Sequence, residues 1–408
     1  MLAVHTADLH LGITNYAPVN PATGLSRRID DFFSAFDQVI DYAIGNKADL
    51  FFLCGDTFKD PSATPTLLKM FATRLRKLSE ENIKTVIILG NHDAPKSGRA
   101  APPEPFIELN VPNVFFFSKP DFLDLECRSG EKARIFAIPF RHPVKVASDR
   151  KKGKTKLDKD LLAQTFREEI SRELEIFTRA GRKGADAVVL AGHLSVEGAL
   201  AGSEKMWATG EEYSVLPSAF DSEVFDYIAL GHIHKHQAIK FKTPIVYPGS
   251  IERIDLGEAD EEKGFVSVQV TKGTANWKFV KLSIRPMYNV KVDCTKAANP
   301  IEAVTEAVAG KEAKDAIFNL EVTVKDPLST EQRGAVAQKL SGSFWQQIIY
   351  RRIPSEKRAT TGAFGTTLEP TQALGKYLKA VKITEKERNL ATKMGQQIID
   401  ETLEKAEA

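Results

Sequence analysis

Residues 227–234 read Tyr-Ile-Ala-Leu-Gly-His-Ile-His. An apolar run of strand length closes on a glycine and two histidines spaced by one residue. That is the pattern of a buried strand whose end delivers polar side chains through a sharp turn. The pattern recurs upstream. Leu2–Val4 leads to Asp8-Leu9-His10, Leu50–Cys54 to Gly55-Asp56, Val86–Leu89 to Gly90-Asn91-His92-Asp93, and Val188–Ala191 to Gly192-His193. Ile135–Ile138 is a further strand-like run. Segments with helical periodicity, Asp31–Ile44, Pro65–Leu78 and Leu157–Ala180, separate several of these strands. Pro244–Tyr247, Phe265–Val270 and Phe279–Ile284 then follow with little helix between them. The spacing predicts a layered α/β domain over residues 1–285 that turns antiparallel towards its end. In such sheets, groups just beyond the strand ends converge on one edge, where ligands bind.

The chain has eight histidines, and five of them (His10, His92, His193, His232 and His234) fall in these clusters. Any one alone is more often a hydrogen-bonded structural histidine, so the signal lies in the ordered combination. With Asp8, Asp56 and Asn91 they form a mixed oxygen and nitrogen donor set without a thiolate. Such a set suits Mn²⁺ or Fe²⁺ better than Mg²⁺. One ion does not need so many donors, whereas two ions about 3.5–4 Å apart, bridged by a carboxylate, would use them all.

The order of motifs HTADLHLG, LCGDTF, ILGNHD, LAGHLSVEG, YIALGHIH and YPGSIERIDLGE resembles the calcineurin-like metallophosphoesterase superfamily, and within it the SbcD-type double-strand-break repair nucleases. The resemblance implies a layered β-sandwich flanked by helices, with a small α/β capping domain and a C-terminal helical pair. It implies two Mn²⁺, with Asp8, His10 and His234 on the first, Asp56 bridging, and Asn91, His193 and His232 on the second. His92 would be catalytic, stabilising or protonating the leaving oxygen, with Asp93 orienting its ring. Many relatives place another histidine three residues after the bridging aspartate, where this chain has Lys59. A lysine there cannot shuttle protons near neutral pH. The chain contains no G-x-x-x-x-G-K-[ST] phosphate loop, so ATP hydrolysis is expected from a separate SbcC-type coiled-coil partner.

The remaining chain reads in three parts. Residues 286–354 carry a strand–helix–strand–helix–strand pattern, with strands at Tyr288–Asp293, Ile317–Val324 and Trp345–Arg352 and capped helices opening at Asn299 and Ser329. Residues 355–370 read as a linker. Residues 371–408 form two amphipathic helices, with stripes Leu374, Tyr377, Leu378, Val381 and Leu390, Met394, Ile398, Leu403. These helices are suitably placed to bind the ATPase partner.

The 56 Lys and Arg nearly balance 54 Asp and Glu, so net charge alone does not point to nucleic acid. Basic residues do gather at Lys145–Lys156 and at Arg351, Arg352, Lys357 and Arg358, where phosphates would meet counter-charge. Three cysteines, Cys54, Cys127 and Cys294, argue against a disulfide framework, and no secretory or membrane segment is evident, so a cytoplasmic, nucleoid-associated protein is expected. The expected partners are double-stranded DNA ends, single-stranded DNA, the ATPase and a second copy of the chain. Two other functions stay open at this level: a phosphodiesterase acting on small nucleotides, and a non-catalytic scaffold.

Overall fold

The computed structural model describes residues 1–95, 100–142, 159–200, 202, 213–353, 370–380 and 383–407. The basic run Lys145–Lys156, Lys357, Arg358, Val381 and nearly all of the expected linker lie outside the described residues. Elements in chain order are β1 (Leu2–Thr6), α1 (Arg27–Gly45), β2 (Leu50–Cys54), α2 (Pro65–Glu80), β3 (Lys84–Ile88), α3 (Glu104–Glu108), β4 (Val114–Phe117), β5 (Asp121–Glu126) and β6 (Lys132–Ile138). They continue with α4 (Lys159–Ala180), β7 (Ala187–His193), β8 (Ser195–Val196), β9 (Ser214–Val215), β10 (Tyr227–Gly231), β11 (Gln237–Ile239), β12 (Ile245–Tyr247), β13 (Gly264–Thr271) and β14 (Thr274–Lys281).

Two six-stranded sheets stack face to face, in the orders β14-β13-β1-β2-β3-β4 and β11-β12-β10-β7-β6-β5. Between them lie Ala3, Phe52, Val86 and Val266 from the first sheet against Ile135, Val189, Ala229 and Val246 from the second. Helices α1 and α2 cover the outer face of the first sheet, burying Phe32, Phe36, Val39, Phe71 and Leu75 against Val4, Phe51 and Leu53. Helix α4 covers the outer face of the second with Phe166, Ile170, Leu174 and Phe177. A strand covered on both faces must be apolar throughout, which is why Leu-Phe-Phe-Leu-Cys in β2 shows no alternation and every residue is buried. Each fully buried phenylalanine contributes roughly 1.5–3 kcal/mol of transfer free energy.

The parallel strands deliver their C-terminal ends to one edge. β1 pairs with β2, and β7 with β10, in a register that sets His193 opposite Gly231. His5 ties the two sheets together beneath that edge. Its Nδ1 lies 3.0 Å from the Tyr227 hydroxyl and its Nε2 3.2 Å from the Leu230 carbonyl. Because a carbonyl can only accept, Nε2 carries the proton, and burial lowers the ring's pKa to about 3.

Antiparallel pairing is not confined to the end of the chain, as the sequence suggested. β13 pairs antiparallel with β1 and β14, but β5 also pairs antiparallel with β6 in mid-chain. β5 reads Asp-Phe-Leu-Asp-Leu-Glu at a sheet edge with only Leu125 buried, so it carries too little apolar signal to be read as a strand.

A separate parallel sheet is built from β15 (Met287–Asp293), β16 (Ile317–Val324) and β17 (Trp345–Arg352), connected by α5 (Pro300–Val308) and α6 (Thr330–Lys339). Its own core includes Val290, Phe318, Leu320, Val322 and Val336. The expected caps are present. Asn299 accepts the Ile301 N–H, and Ser329 with Gln332 forms a capping box. The sheet docks on the larger body through Met287, Ile317, Phe344 and Trp345 against Tyr16, Leu256 and Ala259. Arg285 closes the seam, pairing with Asp31 at 2.7 Å and lying 3.5 Å over the Phe344 ring.

The last helices are α7 (Pro370–Ala380) and α8 (Glu385–Glu407). They pack on each other at Gly395, where an added Cβ would lie 2.5 Å from Leu374. Leu378 of the first expected stripe is buried and Leu374 packs on Gly395 within the hairpin. Tyr377, Leu390, Met394 and Ile398 are exposed. The apolar faces of α1 and α2 are occupied by the core. No described helix is long and apolar enough to cross a membrane.

Candidate metal centre

Nine residues singled out in the sequence, Asp8, His10, Asp56, Asn91, His92, Asp93, His193, His232 and His234, meet where the strands of both sheets end. The backbone there is bent beyond what ordinary residues adopt. Asp8, His10, Asp56 and His232 all have positive φ, at 52°, 43°, 49° and 101°. Such conformations cost of order 1–3 kcal/mol each and persist where the surroundings enforce them. Glycine takes the places where no side chain fits, since a Cβ at Gly55 would lie 2.0 Å from His193 Nδ1.

The donors fall into overlapping groups. Asp8, His10 and His234 have ligand atoms within 4.8 Å of one another, as do Asp8, Asp56 and His193, and also His10, Asp56 and His92. Asp56 Oδ2 lies 3.6 Å from His10 Nε2 and 3.5 Å from His193 Nε2, between the two halves of the site. Asn91 Oδ1 is 2.8 Å from His193 Nε2 and 3.0 Å from His232 Nδ1. This geometry permits the partition implied by the resemblance, with Asp56 shared.

Hydrogen bonds behind the rings determine which nitrogen faces the pocket. His193 Nδ1 donates to the Cys54 carbonyl at 2.8 Å and His234 Nδ1 to the Glu258 carboxylate at 2.9 Å, so in each neutral ring Nε2 carries no proton. His10 Nε2 and His234 Nε2 then face each other at 3.1 Å. With His234 Nε2 unprotonated, this approach favours a proton or a cation between the rings. The buried donor set therefore fits divalent metal.

Protonation follows from burial and from these neighbours. Burial opposes ionisation of Asp56, but His193, His10 and His92 hold its carboxyl well below the usual range. Burial would lower His193, yet Asp56 and Asp8 raise it to about 9. Burial drives His10 well below its ordinary value and pushes Asp8 up.

The expected contact between Asp93 and the His92 ring is not made. Asp93 is fully buried and accepts the backbone N–H groups of Thr57 at 3.0 Å, Phe58 at 2.9 Å and Gly90 at 3.3 Å. It stitches the Gly55-Asp56 loop to the Gly90–Asp93 loop, because unpaired N–H groups in that interior would be costly. Burial and Asp56 push it up to about 7 against the pull of these donors. The His92 ring is oriented by Lys59 instead, whose carbonyl accepts Nδ1–H at 2.9 Å, while the His92 backbone N–H donates to Asp56 Oδ1 at 2.8 Å. Lys59, where the resemblance implied a histidine, thus acts through its main chain, with an exposed side chain.

Glu258 and the Cys54 carbonyl were not expected among the groups that orient the site. Glu258 ends the YPGSIERIDLGE stretch, so only its place in that motif signalled it. A backbone carbonyl leaves no mark in residue identity.

Two stacked mixed sheets with a histidine- and aspartate-rich edge define a class of metal-dependent phosphoester hydrolases. A family model described as Calcineurin-like phosphoesterase matches residues 1–236. The chain belongs to that family, whose members bind two divalent metals, and it is an enzyme, a metal-dependent phosphodiesterase. It is similar to the DNA double-strand break repair protein Mre11 of Aeropyrum pernix, at 26% identity over 75% of this chain and 66% of that protein. The Archaeoglobus fulgidus protein of the same name is 24% identical over 87% of this chain and 75% of its own length. The SbcD component of the nuclease SbcCD of Bacillus subtilis is 28% identical over 81% of each.

Proposed function

We propose that this chain is the Mn²⁺-dependent DNA exonuclease and endonuclease component of an SbcCD-like double-strand-break repair complex, acting in the cytoplasm at the nucleoid. What supports this reading is the place of Asp56 Oδ2, 3.6 Å from His10 Nε2 and 3.5 Å from His193 Nε2, where it could be shared between Asp8, His10, His234 on one side and Asn91, His193, His232 on the other. Mixed imidazole, amide and carboxylate donors suit Mn²⁺ or Fe²⁺ better than Mg²⁺, and of the two the resemblance to SbcD-type nucleases favours Mn²⁺. Two such ions, when bound, supply positive charge to a phosphodiester and acidify water.

The chain's own groups do the rest. Asp93 and the Gly-turns hold the loops so that the ligands need little rearrangement as substrate arrives. His92 has Nδ1–H held by the Lys59 carbonyl, so Nε2 is the nitrogen left to face the leaving sugar oxygen. As imidazolium it would give that oxygen its Nε2 proton and return to the neutral Nδ1–H form. Residues 286–354 are read as a capping domain facing DNA, with Arg351 and Arg352 on its last strand. The exposed residues Tyr377, Leu390, Met394 and Ile398 are read as the docking face for an SbcC-type ATPase. The names of the relatives support DNA over a small nucleotide as substrate.

Purified protein with Mn²⁺ is expected to degrade linear DNA. His92→Ala should lower that rate by about 10²–10⁴-fold while the protein still holds two metals. Activity on bis(p-nitrophenyl) phosphate with none on any DNA would favour the small-nucleotide reading instead. Co-purification with the ATPase should be lost on deleting residues 371–408, and unchanged binding would refute the docking assignment.

A further inference from the structure

Behind His234 lies an ion pair for which the two-metal reading has no use. Glu258 and Lys263 are both buried and pair at 2.9 Å. Glu258 lies 24 residues beyond His234, at the end of a single 3₁₀ turn, Leu256–Glu258, begun by Asp255 accepting the Gly257 N–H at 2.6 Å. One carboxylate oxygen of Glu258 takes His234 Nδ1–H at 2.9 Å, and the other takes the Ile254 N–H at 2.9 Å. Lys263 Nζ donates to Glu261 at 2.7 Å and to the His234 carbonyl at 3.0 Å. The same pair therefore grips His234 twice, at its ring through Glu258 and at its main chain through Lys263.

The turn is also held from its far side. Asn289 of the small sheet donates to the Leu256 carbonyl at 3.1 Å, and Leu256 and Ala259 pack on Met287 and Ile317. Glu258 thus projects from a turn fixed on two sides, and its carboxylate has little freedom to move away from the ring. Burying two charges is a poor route to stability, because apolar residues of similar volume often do as well. Orienting a ring is a task that apolar replacements cannot perform.

We propose that Glu258 is a positioning residue for His234, and that Lys263 holds Glu258 in register. By accepting Nδ1–H, Glu258 fixes the tautomer and the ring angle so that Nε2 faces Asp8 and His10. The proposal rests on the reading of His234 as a metal ligand.

The test uses the full chain, with nitrogen NMR of the histidine rings in metal-free protein and calorimetric titration with Mn²⁺. The wild type should show His234 as one tautomer, protonated at Nδ1. Glu258→Leu combined with Lys263→Met removes both charges together and leaves neither stranded. It should give mixed His234 tautomers and weaken one of the two Mn²⁺ sites by about 10–100-fold, sparing the other. Glu258→Gln keeps one acceptor but cannot accept from Ile254 and Lys263 as well, and should weaken the same site several-fold. It decides the matter alone if the double variant does not fold. Retention of the single tautomer and of both affinities, with only a lower melting temperature, would overturn the proposal in favour of a purely structural ion pair. If the wild type binds no Mn²⁺, the metal-site reading fails, and the tautomer comparison decides the positioning role by itself.

Discussion

Asp56→Asn is expected to reduce phosphodiesterase turnover by roughly three orders of magnitude or more, about 4 kcal/mol of transition-state stabilisation. Its Oδ2 lies 3.6 Å from His10 Nε2 and 3.5 Å from His193 Nε2, so this one oxygen faces both halves of the pocket. An amide of the same shape keeps the acceptor for His92 N–H only if its NH₂ takes the place of Oδ2. A donor would then point at both candidate ions. Metal content should fall below two per chain in elemental analysis, and the rate on bis(p-nitrophenyl) phosphate should fall with it. Wild-type turnover with two metals retained would remove Asp56 from the bridging role.

Gly231→Ala should be nearly as damaging without touching a ligand. A Cβ at Gly231 would lie 1.8 Å from the Cys54 carbonyl and 2.7 Å from Ala7 Cβ. Both belong to the first sheet's strand ends, and neither is the tip of a flexible side chain. To admit the methyl group, the two sheets would have to part where Cys54 O receives His193 Nδ1–H. A loss of about 3 kcal/mol or more in unfolding free energy is expected, together with weakened metal binding. Gly334→Ala in α6 is the control, because nothing lies within 4 Å of its added Cβ. It should be neutral or stabilising by up to about 1 kcal/mol in chemical denaturation. Equal stability of the two variants would show that the close approach at Gly231 carries no structural weight.

Much of the first 285 residues was legible because strands buried on both faces must be apolar throughout and must end in turns. That rule located β1, β2, β3, β7 and β10 and, with them, the aspartate and histidine clusters. It missed β5, a half-exposed edge strand with one buried residue. The near-zero net charge was equally uninformative, since it averages a pocket containing Asp8 and Asp56 with basic residues elsewhere in the sequence.

What orients the site was decided by tertiary structure. Asp93 adjoins His92 in the chain, and the family resemblance implied that it steadies that ring. In the fold its carboxylate turns inward to three N–H groups that would otherwise be buried without partners. The task passes to the carbonyl of Lys59, and the parallel task at His234 passes to Glu258. The sequence by itself singled out the donor side chains that the fold brings together, because donor type and the glycine turns are properties of residue type. Which nitrogen each ring presents depends on hydrogen bonds from distant segments and from backbone atoms common to every residue. Only the folded chain brings those partners together.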